Sequence, residues 1–203
     1  MTIDYHGALD EFVFRVVNAD GGRALDLAFL TLSARWFGIA AGAAVVVLIA
    51  LRGGRRRLAL LLAFALAVAL SDSVGAQVLR PLFDRMRPCF ALPPGGVRWI
   101  GAASDVGSLP SLHSSNAFAM ASVAWAANRR AGVAAAVIAG LVAISRVYLG
   151  VHWPTDVLAG IAWGLACAWV ALALGRRIEA RAARLARGEA RPPAAGPEHG
   201  PSS

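Results

Sequence analysis

Long apolar runs separated by short polar breaks dominate the chain. Crossing a hydrocarbon layer takes about 20 apolar residues per helix, fewer where polar protein surface meets one end. Five runs approach that length: residues 36–51, 58–79, 111–127, 131–149 and 155–174. The segment ahead of them, LDEFVFRVVNADGGRALDLAFLTLSARW, has apolar residues at helical spacing interrupted by charges. It reads either as a pair of interfacial amphipathic helices or as a sixth, tilted span beginning near Leu25. The pattern predicts an all-α, polytopic membrane bundle of five to six transmembrane helices, with a membrane-embedded domain over residues 1–177. The Arg/Ala/Pro-rich tail, 178–203, is expected to extend the last helix and then to be largely disordered through PPAAGPEHGPSS.

Composition agrees with the pattern. Of 203 residues 58% are hydrophobic and only 16% charged, and a mean hydropathy of +0.59 is too apolar for an ordinary soluble domain. The net charge of +8 would suggest nucleic acid in a soluble protein. Here the arginines cluster in the breaks: Arg52, Arg55, Arg56 and Arg57, then Arg129 and Arg130, then Arg176 and Arg177. The positive-inside rule accounts for them, so nucleic-acid binding is set aside and all three clusters are assigned to the cytoplasmic face. All 20 basic residues are arginine. Cys89 and Cys167 match no metal or disulfide spacing, and MTIDYHGALDEFVF lacks the basic n-region of a cleaved signal peptide.

Three polar clusters fall on the opposite face: RPLFDRMRP (80–88), SLPSLHSSN (108–116) and SRVYLGVHWPTD (145–156). Together they offer the guanidinium groups of Arg80, Arg87 and Arg146, two histidines, and a carboxylate four residues after one of them. Three such groups at a bilayer interface call for an anion, and their planar donor forks suit phosphate. Pro110 and Pro154 each mark a helix start, which leaves Ser111, Leu112 and His113 to present backbone N–H groups at a helix N-terminus, itself an anion site. His113 and His152 then serve as acid and nucleophile, with Asp156 fixing the His152 tautomer. No metal and no cofactor is required.

These clusters resemble the type 2 phosphatidic acid phosphatase (PAP2) superfamily of membrane lipid phosphatases, which shares its core with vanadium haloperoxidases. Its signature reads Lys, six residues, Arg-Pro; Pro-Ser-Gly-His; Ser-Arg, five residues, His, three residues, Asp. Ser145, Arg146, His152 and Asp156 match the third part in full. Arg87 and Pro88 match the first, with Arg80 in place of lysine; Pro110, Ser111 and His113 match the second, with Leu112 in place of glycine. The resemblance implies a metal-independent phosphohydrolase. In it His152 attacks phosphorus to form a phosphohistidine, Asp156 orients His152 and His113 protonates the leaving oxygen. Arg80, Arg87, Arg146, Ser111 and the Leu112 amide bind the phosphate. Arg80 keeps the charge while changing reach, and the Leu112 side chain crowds an approach that glycine leaves open.

Taken singly, each residue has a plainer explanation. Arg146 reads as a snorkelling arginine, Asp156 as an acid stabilised by a helix dipole and Ser111 as an ordinary helix-start residue. His113 and His152 read as interfacial side chains bonded to backbone, and Arg80 and Arg87 as headgroup-binding charges. Their joint occurrence at the family's spacing favours the site. Asp84 and Arg85 are given no chemistry and are expected to pair with each other or with Arg80. Asp72, inside a span, is a functional suspect or an acceptor for a site arginine. Asn116, one turn from Leu112, lines the pocket or bonds a neighbouring helix. Trp36, Trp99 and Trp153 fit an interfacial aromatic belt.

The sequence thus predicts a multi-pass bacterial inner-membrane phosphatase with its site facing the periplasm or exterior and a lipid phosphate as substrate. Undecaprenyl diphosphate is favoured, ahead of phosphatidic acid, phosphatidylglycerol phosphate or lipid A phosphates. A haloperoxidase is disfavoured by the five apolar runs. A non-enzymatic lipid-phosphate binding or transport module has no need of a His-Asp pair at this spacing. Oligomeric state is left open.

Overall fold

The structure, a computed structural model, describes residues 7–103 and 107–187. Its helices are α1 (Ala8–Val17), α2 (Gly22–Leu32), α3 (Arg35–Arg52), α4 (Arg57–Ala69), α5 (Arg80–Phe83), α6 (Pro88–Ala91), α7 (Leu112–Ala127), α8 (Arg129–Tyr148) and α9 (Pro154–Ala186), with no strand among the described residues. A π-helical stretch, Leu70–Leu79, joins α4 to α5 without a break. Four helical stretches are long and apolar enough to cross a membrane: Arg35–Arg52, Gly54–Phe83, Arg129–Tyr148 and Pro154–Ala186. The 16-residue α7 is shorter and lies at the centre of the bundle, packed on α4, α8 and α9.

At 1.5 Å per residue, α1 and α2 are each only about 15–17 Å long, too short to cross the hydrocarbon. Charges at Asp10, Glu11 and Arg15 interrupt α1, yet Phe14 is fully buried and packs with Val147, Trp153 and Val157. Of the expected tail, residues 178–186 are helical as part of α9, because alanine and arginine are strong helix formers. Residues 188–203 lie outside the described residues.

Small side chains hold the bundle together, as they do wherever helices associate in lipid. The largest core cluster is built of Ala63, Ala67, Ala119, Ala124, Ala168 and Ala171 with Val45, Ile49, Leu60 and Val123. On α9, Gly160 and Gly164 repeat at small-xxx-small spacing. A Cβ on either would run into the backbone carbonyl of Ser111 or Ser115 on the α7 side, so α9 lies directly against the start of α7. At the far end, Arg56 Nε donates to Glu179 Oε2 at 3.2 Å, which puts the first arginine cluster beside the end of α9. The three signature clusters gather at the other end, where α5, the start of α7, the end of α8 and the start of α9 meet.

Candidate active site

The third cluster is positioned by how α8 stops. Leu149 and Gly150 cap the helix by donating to the carbonyls of Ser145 and Val147, and Gly150 has φ +79°, a left-handed conformation that only glycine adopts freely. The chain then doubles back, and the N–H groups of Val151 and His152 both donate to the Arg146 carbonyl at 3.2 Å. Arg146 and His152 are thus tied together through the backbone. Pro154 opens α9 at its first position, which makes Asp156 the third helical residue. Asp156 Oδ2 accepts from the Trp153 N–H at 2.9 Å, half of a capping box, and faces His152 Nδ1 at 3.3 Å. The helix-start explanation and the functional one therefore describe the same carboxylate.

On its other side the imidazole meets the first cluster. Arg87 Nη1 lies 2.9 Å from His152 Nε2 and 2.9 Å from the Val151 carbonyl. An arginine has no acceptor, so Nε2 carries the lone pair and Nδ1 carries the proton directed at Asp156. Burial holds the imidazole well below its usual range, and Arg87, Arg146, Arg80 and His113 push it the same way. It is a neutral nitrogen base whose free lone pair faces a cation.

The remaining predicted residues surround this line. Arg146 is buried, and its Nε has no partner among the described residues. A buried polar group is ordinarily bonded, so this N–H is a donor that an anion in the site would satisfy. Arg80 is half-buried, with Nε 3.4 Å from the Pro110 carbonyl, and His113 lines the same groove from the first turn of α7. The second cluster departs from expectation in one respect. Pro110 lies two residues before α7, so Ser111 is the N-cap, and the Ser111 N–H donates to the Asp156 carbonyl at 3.0 Å. Leu112 and His113 keep first-turn N–H groups; the Ser111 amide instead locks α7 to α9. Its hydroxyl accepts from Ser114 Oγ at 3.1 Å.

From this cluster a groove of about 930 Å³ runs down between α3, α4, α7 and α8, with Arg35, Arg80, Leu112 and His113 toward its upper end and Val45, Leu48, Ala124 and Ala135 farther in. Among the described residues no group of three His, Cys, Asp or Glu side chains is arranged to hold a metal ion.

The family model of the PAP2 superfamily matches residues 56–179, which contain all three clusters. The chain belongs to the PAP2 superfamily. Two solved PAP2-like structures share its fold. Aquifex aeolicus LpxE is 26% identical with a TM-score of 0.66, covering 85% of this chain and 99% of its own. The transmembrane PAP2-type phosphatidylglycerolphosphate phosphatase from Bacillus subtilis is 27% identical with a TM-score of 0.62, covering 84% and 86%. A curated relative from Escherichia coli (strain K12), YbjG, whose name gives it a provisional undecaprenyl-diphosphatase activity, is 37% identical over 113 residues. That match takes in 55% of this chain and 54% of YbjG, so the chain spans about half the length of the curated relative it matches.

Against the PAP2 pattern, the Leu112 departure has a visible accommodation. A Cβ on Gly75 of the π-helical stretch would sit 2.5 Å from Leu112 Cδ2, so the leucine occupies space that Gly75 leaves. Two residues of the site were not legible in the signature. Arg85, expected beside Asp84 or Arg80, bonds across the site to α9 and α1. Its Nη1 donates to Asp156 Oδ1 at 2.7 Å and to Thr155 Oγ1 at 2.6 Å, and its Nη2 to Asp10 Oδ2 at 2.5 Å. Asp10, delivered by α1, also accepts the Thr155 N–H at 2.9 Å and so caps α9 from another helix. The signal was the first arginine of RMRP, ahead of the Arg-Pro of the signature; its partner in the amphipathic N-terminal segment carried none. Trp153 is not part of an interfacial belt. It is fully buried, packs on Phe14 and donates to the Met86 carbonyl at 2.9 Å.

Proposed function

We propose that the chain is a metal-independent phosphatase of membrane lipid phosphates, working through a phosphohistidine at the non-cytoplasmic face. The observation that carries this reading is the line Arg87–His152–Asp156 at the head of an apolar groove: a neutral nucleophile aimed at a cation, backed by a carboxylate. A binding module has no use for the tautomer control that Asp156 supplies.

The substrate phosphate lies among Arg80, Arg87, Arg146 and the first amides of α7, and takes the place of Nε2 as the acceptor for Arg87. His152 Nε2 attacks phosphorus as the bond to the leaving oxygen breaks, and His113 gives that oxygen its proton. Asp156 stabilises the positive charge that develops on the ring. Water, deprotonated by His113, then attacks the phosphohistidine, the P–N bond breaks, and phosphate leaves. The arginine cluster beside Glu179 supports a cytoplasmic position for the opposite end of the bundle, and with it a site that faces the periplasm of a bacterial inner membrane. The groove accounts for a lipid substrate, since its walls offer hydrocarbon chains a continuous path from the phosphate site into the bilayer interior.

Phosphate release by the detergent-purified protein, with EDTA present and His152→Ala as control, tests the reading on phosphatidic acid and undecaprenyl diphosphate. Release that survives the chelator and vanishes in the variant is the expected result. Equal background release from both proteins sinks it and leaves a lipid-phosphate binding module.

A further inference from the structure

Below the cations, the groove changes character in steps. On the α4–α5 wall Arg80 is followed inward by Asp72, about two turns away, and then by Val68 and Phe64; on α7, His113 is followed by Asn116 and then Met120. The Asp72–Asn116 pair separates the phosphate site from the hydrocarbon. Asn116 Nδ2 donates to Asp72 Oδ1 at 2.9 Å. The amide is held this way round because turning it would set its oxygen against the Asp72 carboxylate; as placed, that oxygen accepts from Ser71 Oγ at 2.6 Å, a hydroxyl also bonded to Ser115 Oγ. The second oxygen of Asp72 has no partner among the described residues, and the residue is exposed to the groove. A carboxylate on a hydrocarbon wall is unfavourable unless something donates to it.

We propose that Asp72, oriented by Asn116, accepts a hydrogen bond from a hydroxyl or amide N–H on the alcohol part of the substrate. The preferred substrate is then a lipid phosphomonoester whose alcohol part carries a donor beside the phosphate, as a glycerol with a free hydroxyl or an N-acylated amino sugar does, and as two-chain phosphatidic acid does not. This rests on the phosphatase reading above, in which His113 protonates the leaving oxygen. Asn116 lies three residues, about 4.5 Å along the helix, below His113, the reach of a donor a few bonds from that oxygen. A prenyl diphosphate fits worse. Hydrolysis at its terminal phosphorus would set the second phosphate against the Asp72 carboxylate and follow it with a chain that has no donor. Arg35, at the first turn of α3, is the one other charged side chain on the groove wall among the described residues, and service to that second phosphate would show as a preference for diphosphates.

The test compares kcat/KM for three probes in detergent micelles: lysophosphatidic acid, which has a hydroxyl beside the phosphate-bearing carbon, hexadecyl phosphate, which has no donor, and farnesyl diphosphate. The wild-type protein is expected to favour lysophosphatidic acid by about tenfold or more, the worth of one hydrogen bond to a charged group. Asp72→Asn should remove that preference by slowing lysophosphatidic acid alone and should improve farnesyl diphosphate. A wild type that prefers the diphosphate overturns the proposal, as does a variant that slows all three equally. Release from none of the three removes the phosphatase reading, and this proposal with it.

Discussion

Arg85 Nη1 stands 2.7 Å from Asp156 Oδ1 while its Nη2 stands 2.5 Å from Asp10 Oδ2. All three side chains are buried, so one guanidinium separates two carboxylates that would otherwise face each other in a low dielectric. By occupying Oδ1, Arg85 leaves Oδ2 to the Trp153 N–H and the His152 ring. In the proposed mechanism it is a positioning residue: it touches no reacting atom but fixes the carboxylate that orients His152. The α1 helix is thereby part of the site.

Removing one partner of a buried pair costs about 3–5 kcal/mol, because the other charges stay behind unpaired. Arg85→Gln is expected to lose stability on that scale and to lower kcat roughly 10- to 100-fold with KM little changed, the pattern of a transition-state effect. Arg85→Gln with Asp10→Asn removes one charge of each sign and should recover much of the stability without recovering kcat. Detergent melting curves beside steady-state kinetics measure both. If kcat recovers with stability, Arg85 acts on the fold alone.

The depressed basicity of His152 makes stability depend on pH. Its folded pKa lies below the value of about 6.5 expected in the unfolded chain. As pH falls below about 6.5 the unfolded state takes up a proton that the folded state refuses, so stability falls toward acid and is level above neutrality as far as this group is concerned. Melting temperatures from pH 8 to pH 5 should fall less steeply for His152→Asn than for the wild-type protein. Parallel slopes would show that His152 titrates normally in the fold.

Gly160 and Gly164 let α9 reach the α7 backbone, and that contact carries the bond from the Ser111 N–H to the Asp156 carbonyl. Alanine at either position forces the helices apart, at a cost of about 1–3 kcal/mol for overpacking. It should also lower activity by separating the second cluster from the third. Leu158→Ala, on the exposed side of the same helix, controls for general effects on α9 and should leave both properties near wild type. Unchanged melting in Gly164→Ala would show that the contact yields without strain.

What the sequence made legible is what repeats or sits close together. Apolar period and arginine spacing marked the ends of the long helices to within a few residues, except the far end of α9, which runs on through its Ala/Arg-rich extension, and the third cluster lies within twelve consecutive residues. Long-range pairing leaves no such trace: Asp10 meets residues 75 and 145 positions away. Trp153 has the composition of a belt residue and loses that place because α1 folds over it. Pro110 resembled a first helical residue, but proline is favoured in several settings near a helix start, and only the bond from Ser111 to Asp156 settles where α7 begins.

Leu112, where the PAP2 pattern has glycine, gives the sharpest test of how this chain adapted its groove. Its side chain lines the groove beside His113 and fills the space above Gly75. Gly75→Ala should therefore push Leu112 toward the lumen, and Leu112→Gly should open it. The two changes then move selectivity in opposite directions, read as the kcat/KM ratio of two-chain phosphatidic acid to hexadecyl phosphate: down for the first, up for the second. Because the residues touch, the changes should also couple. The double variant is expected to be more stable than the sum of the singles by about 0.5–3 kcal/mol, since the methyl group added at position 75 partly refills the space the leucine side chain vacates. Additive stabilities with ratios that move the same way would mean that Leu112 does not shape the groove, and that the departure from glycine serves only the start of α7.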